Sequence, residues 1–239
     1  SPDYTLDEVA RGPESRMLAH IDGLTVAGRE VARELFAREL AAFNPAEAGR
    51  VVAPGVALLH LRDLAPLKQA LLIEELPARQ AVVHACALSP DKPLEHWLIE
   101  ALEAPLAPAV VAGLLQLAFL ISLEPPELHR FTSSTDPGVL CALLRLLRGS
   151  GDRHAVFGAD RLLEHEHPKV REEAVLAGLH RGSYRARARC VKLAMEDGEG
   201  HPRLLGLAGA LGSAREISWL EVHASAGPCR VMATRALGF

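Results

Sequence analysis

Proline recurs along this chain at near-constant intervals, each time at the head of an apolar run. That periodicity restricts the fold more than any other feature. The runs are LPARQAVVHACAL from Pro77, APAVVAGLLQLAFL from Pro108, DPGVLCALLRLL from Pro137, HPKVREEAVLAGL from Pro168, HPRLLGLAGALG from Pro202 and GPCRVMATRALGF from Pro228. The spacings are 31, 29, 31, 34 and 26 residues. Proline suits the first turn of a helix, where its missing N–H has no intrahelical partner, and it stops the preceding helix from running on. Self-similarity with a period of about 30 residues is the signature of stacked helical units.

A period near 30 holds two short helices and two turns, so each proline is expected to open the second helix of a pair. The segments between supply the first helix: PLEHWLIEALEA (93–104) places Leu94, Trp97, Leu98, Ala101 and Leu102 on one face. HAVFGADRLLEH (154–165) and AREISWLEVHA (214–224) repeat the pattern less cleanly. In the fourth run Val170, Ala174, Ala177 and Gly178 recur at helical spacing, with Arg171, Glu172 and Glu173 between them. Composition agrees: apolar residues are 49% but aromatics only 4%, so Leu and Ala, good helix formers, carry the hydrophobic load. The expected fold is all-α, an α-α superhelix of about five to six helical-hairpin repeats. One continuous array is expected over residues 45–239, after an N-terminal helical segment over 1–44. Within that segment, SRMLAHIDGLTVAGREVARELFARELAAF reads as a helix, a turn at Asp22-Gly23 and a second helix from about Thr25.

The repeats resemble HEAT-like repeats: proline, a hydrophobic residue two positions on, often a basic residue next, then small residues at helical spacing. HPKVREEAVLAGL is the best match, and GPCRVMATRALG, with Arg230, is a good one. LAHIDGLTVAG (18–28), running into RVVAPGVALLHL, resembles the start of a bacterial family of HEAT-like proteins often encoded near type VI secretion genes. Chains of that family are longer. This one ends inside a repeat, which implies a fragment of a longer protein.

Twenty residues without a charge, APLAPAVVAGLLQLAFLISL (104–123), reach the length of a membrane span. Pro105 and Pro108 interrupt the run, Pro108 falls in step with the repeats, and no basic flank sets an orientation. The run therefore reads as the central helix of a solenoid, buried on both sides. Cys86, Cys141, Cys190 and Cys229 form no C-x-x-C pair and sit in helical contexts, as reduced core thiols do. SPDYTLDEVARG has neither the basic nor the apolar region of a signal peptide, so a cytoplasmic protein is expected.

Candidate chemistry is sparse. LLEHEHPK (162–169) gathers Glu164, His165, Glu166 and His167. HEAT-like deoxyhypusine hydroxylases hold two irons with several His-Glu pairs, but here only His165-Glu166 reads His-Glu, so a polar turn is expected and no metal. GLAGALGSA (206–214) follows no strand and has no Lys, so it is a packing surface and not a phosphate loop. No catalytic residue and no cofactor is expected. The most basic stretch, HRGSYRARARCVK (180–192), holds Arg181, Tyr184, Arg185, Arg187, Arg189 and Lys192. As a helix it would align Arg181, Arg185 and Arg189 on one face, although Gly182 interrupts the first turn. These six residues are the expected partner site, and the competing reading is a solvated face paired with Glu172, Glu173 or Glu196.

The net charge is −4, with 10 Lys+Arg against 16 Asp+Glu in residues 1–120 and 16 against 14 in the rest. Neither half is basic enough for a nucleic-acid footprint. The expected function is therefore a non-enzymatic protein-binding scaffold. The resemblance implies an accessory or adaptor role in type VI secretion, with an effector or spike component as partner. A toxin-binding immunity protein would share the architecture. The alternative class is an enzyme or nucleic-acid protein on the same frame: a DNA glycosylase, a bilin lyase subunit or a metal hydroxylase.

Overall fold

In a computed structural model, residues 15–149, 160–196, 201–211, 217–218 and 221–222 are described. The repeat at Pro228, Trp219, Cys229, most of the helix expected over 214–224 and the first half of that over 154–165 lie outside them. The described residues form helices and no strand. Packing divides the chain between Pro125 and Pro126 into two compact units.

The first unit contains α1 (Ser15–Ala27), α2 (Arg29–Ala41), α3 (Gly49–His60), α4 (Ala65–Leu72), α5 (Arg79–Leu88), α6 (Lys92–Glu103) and α7 (Pro108–Leu120). Helices pair in chain order, α2 with α3, α4 with α5 and α6 with α7. The second members, α3, α5 and α7, also pack side by side. This is the alternation that the proline spacing implies. α7 lies against α4, α5 and α6, which explains the uncharged run: a helix packed on several sides is apolar on several sides. α3 is enclosed in the same way by α1, α2 and α5, and eight of its residues are buried. Among the described residues no helix is long and apolar enough to cross a membrane.

The N-terminal helix differs from its expected form. α1 runs unbroken through Asp22 and Gly23, and the chain turns instead at Gly28, at φ 96°. The Thr25 hydroxyl donates to the Ile21 carbonyl at 2.9 Å, inside the helix it was expected to start. Only glycine adopts this φ at low cost, so the break falls there.

The second unit contains α8 (Pro137–Leu147), α9 (Pro168–His180), α10 (Tyr184–Glu196) and α11 (Pro202–Leu211), with short 3-10 helices at Leu128–Ser133 and Leu162–Glu164. α8 packs on α9, α9 on α10 and α10 on α11. Its core joins Leu140, Leu144, Val170, Val175, Cys190, Leu204 and Leu205.

The proline-led helices share one burial pattern. A buried triplet, one less buried residue and a buried pair occupy 81–83 and 85–86 in α5, 113–115 and 117–118 in α7, 142–144 and 146–147 in α8, and 173–175 and 177–178 in α9. An exposed residue follows two positions later: Leu88, Leu120, Gly149 and His180. Helix ends repeat as well. After α3, α7 and α9 the residue at 62, 122 or 182 takes a positive φ, and the next N–H reaches back to Leu58, Ala118 or Gly178. These three identical stops are evenly spaced, at twice the period of the prolines.

Candidate functional site

The basic stretch does not form one face. Arg181 precedes α10, and its Nε and Nη2 donate to the Leu147 carbonyl at 3.2 and 2.7 Å. On α10, Arg189 is nearly covered; it pairs with Glu164 at 2.8 Å and donates from Nε to the Leu163 carbonyl at 3.3 Å. Arg185 approaches Asp160 at 3.8 Å, and Lys192 approaches Glu196 at 3.8 Å. Arg187 is exposed, and Tyr184 is 82% exposed. Of the expected partner residues, Tyr184, Arg185, Arg187 and Lys192 thus face solvent, while Arg181 ties the turn before α10 to the end of α8 and Arg189 ties α10 to the segment at Leu162–Glu164.

The EHEHP run is a turn. The His167 N–H donates to His165 Nδ1 at 3.1 Å, and Arg171 Nη1 donates to the carbonyls of His165 and Glu166 at 2.9 and 2.7 Å. Arg79 stands six and five residues after the carbonyls of Ile73 and Glu74 and donates to both, so it does for α5 what Arg171 does for α9. Among the described residues no three His, Cys, Asp or Glu side chains converge as metal ligands would.

A second cluster, not singled out from sequence, is built on the proline-led helices of the second unit. Glu173 opens the buried triplet of α9, where α5, α7 and α8 carry Ala81, Gly113 and Ala142. It lies three residues after buried Val170 and four before buried Ala177, so it shares their face and not the polar one expected for it. Its side chain is 4% exposed. Arg145 Nε, in the last turn of α8, donates to Oε1 at 2.9 Å, and Arg148 Nη2 donates to Oε2. Arg203, in the first turn of α11, stands 3.5 Å from Glu173 and 3.8 Å from Glu172. His201, 1% exposed, places Nδ1 3.7 Å from Glu172. Burial pushes the Arg148 pKa down, Glu173 opposes this, and Arg203 and Arg145 add to it as like charges. Buried ions persist only when paired, and among the described residues three guanidiniums crowd two carboxylates here. The sequence signal was a carboxylate inside the repeating buried triplet, which appears only once the repeats are laid in step by burial.

The first unit has two smaller arginine clasps. Asp63, at the first of the three helix stops, accepts from Arg33 Nε and Nη2 at 2.5 and 3.0 Å. Glu39 accepts from Arg38 Nη2 at 3.0 Å and pairs with Arg50 Nε at 2.8 Å. Both carboxylates are buried.

No family model matches the chain, and no curated protein matches it.

Proposed function

We propose that this chain is a non-enzymatic protein-binding scaffold, acting in the cytoplasm as an accessory or adaptor protein of type VI secretion. The observation that supports a scaffold is the contrast between a constant buried pattern and the variable, less buried position within it. The buried positions of α5, α7, α8 and α9 repeat, while the less buried residue within each pattern is His84, Gln116, Arg145 and Leu176 in turn. A frame of repeated helices carrying a different side chain at each step suits recognition of an extended partner. The buried acids also favour binding over chemistry, because arginine donors occupy Asp63, Glu39 and Glu173. The secretion role rests on the resemblance of residues 18–28 alone, and fold does not carry it.

The test is affinity capture of the tagged chain from its source cells after nuclease treatment. Each captured protein is then made separately and recombined with the chain on a sizing column. One protein that co-elutes in a fixed ratio supports the scaffold, and its identity as an effector, spike component or toxin decides the role. Stoichiometric metal or nucleic acid, with no protein that recombines, overturns it.

A further inference from the structure

We propose that Arg145, Arg148 and Arg203 form a receptor for a carboxylate carried on an acidic segment of a protein partner. This deepens the scaffold reading and rests on it.

The cluster is under-neutralised and partly open. Arg145 engages Glu173 through Nε, and its side chain remains 40% exposed. Arg203 is 57% exposed and stands from both glutamates at ion-pair distance, 3.5 and 3.8 Å. Arg148 is deeper, and its buried Nε has no hydrogen-bond partner. Among the described residues three fixed cations thus face two carboxylates, with unspent donors on the outer two. A third carboxylate laid across Arg145 and Arg203 would relieve the like-charge crowding and use forked donors, a geometry that guanidinium offers and ammonium does not. Glu172 and Glu173 cap the excess at about one charge. That suits a single carboxylate better than a polyphosphate backbone, which needs several adjacent cations. The equivalent positions in the first unit, His84 and Gln116, carry no guanidinium, so they repeat no forked donor.

The experiment titrates a fluorescein-labelled hexaglutamate peptide with the full chain at low ionic strength and reads anisotropy. Saturable binding is expected. The double variant Arg145→Gln, Arg203→Gln is expected to weaken it by about tenfold or more, the loss of at least one charge-assisted pair. Arg145→Lys with Arg203→Lys is expected to weaken it too, because charge remains but the fork is lost. Lys68→Gln with Lys92→Gln, on α4 and α6 of the first unit, is expected to leave it unchanged. Melting curves followed by circular dichroism confirm that each variant is folded. If Arg145→Gln, Arg203→Gln unfolds the chain, Arg145→Lys with Arg203→Lys decides alone. Equal affinity in all variants, full binding by Arg145→Lys with Arg203→Lys, or equal loss in the Lys68→Gln, Lys92→Gln control overturns the receptor. So does single-stranded DNA that binds more tightly than the peptide with the same arginine dependence. A partner captured and recombined as above, but indifferent to these arginines, would leave the scaffold standing and remove this site. Failure to capture any partner would remove the scaffold whatever the peptide does.

Discussion

Gly178 shows how closely single atoms set the spacing of the second unit. A Cβ built there would lie 2.4 Å from the Ala186 Cβ, so α9 and α10 approach through a missing methyl group. Gly113 is tight for another reason: its Cβ would meet Arg79 Cδ at 2.6 Å, the flexible arm that carries the guanidinium to the Ile73 and Glu74 carbonyls. Gly178→Ala must move a helix and is expected to cost about 1–3 kcal/mol. Gly113→Ala need move only a side chain and should cost less. Thermal melts of both variants test this, and an equal or reversed order refutes it. The thiols give a second prediction. Burial pushes Cys86 up to about 12 and Cys190 up to about 11, whereas Cys141 is half-buried and raised by burial and Glu173. Thiolate is the reactive form. In a Cys229→Ser background at neutral pH, Cys141 is therefore expected to be alkylated first, with Cys86 and Cys190 reacting only on unfolding. Peptide mapping by mass spectrometry reads the order, and early labelling of Cys86 would contradict it.

At the scale of the element, the helix starts were legible and the helix stops were not. Proline acts locally, through its fixed φ and absent N–H, so α5, α7, α8, α9 and α11 all begin at the prolines or within two residues of them. Stops depend on a residue at positive φ, and two of the three are non-glycine: Arg62 at φ 54° and Ser122 at φ 56°. Nothing in those residue types announces a left-handed position. Asp22-Gly23 misleads in the opposite sense. It is a turn dipeptide that the helix absorbs, because Ile21 and Leu24 on either side are buried and hold α1 in place. The shared geometry makes the stops testable. A non-glycine residue at positive φ costs about 1–2 kcal/mol. Ser122→Gly is expected to raise stability by about 1 kcal/mol, and Gly182→Ala to lower it by a similar amount. Urea melts of both measure the effect; a loss on Ser122→Gly would show that the hydroxyl matters more than the backbone.

At the scale of the whole molecule, an arginine clasps each acid that is buried among the described residues, Glu39, Asp63 and Glu173, and this is the part that sequence hid most completely. The run at 181–192 was visible because its charges are neighbours in the chain. The partners that consume two of them, Leu147 for Arg181 and Glu164 for Arg189, are brought in by other segments. Glu173 meets Arg145 and Arg203 from helices about one repeat away on either side, so the cluster exists only once the repeats stack. Such clasps tie stability to pH, and Glu39 gives the clearest case. The hydrogen bond from Arg38 and the charges of Arg50 and Arg38 lower its pKa, outweighing the upward push of burial. A carboxyl whose folded pKa lies below its unfolded value holds fewer protons folded than unfolded. Its contribution is therefore complete above the unfolded value of about 4.5 and fades as pH falls through the folded pKa. Glu39→Gln removes the titration while keeping an acceptor for Arg38. Urea midpoints of the two proteins should differ most near pH 7, begin to converge below about pH 4.5, and meet once Glu39 is protonated in both states. A gap of constant size down to the most acidic buffer would mean that the arginines hold the side chain by shape and not by its charge.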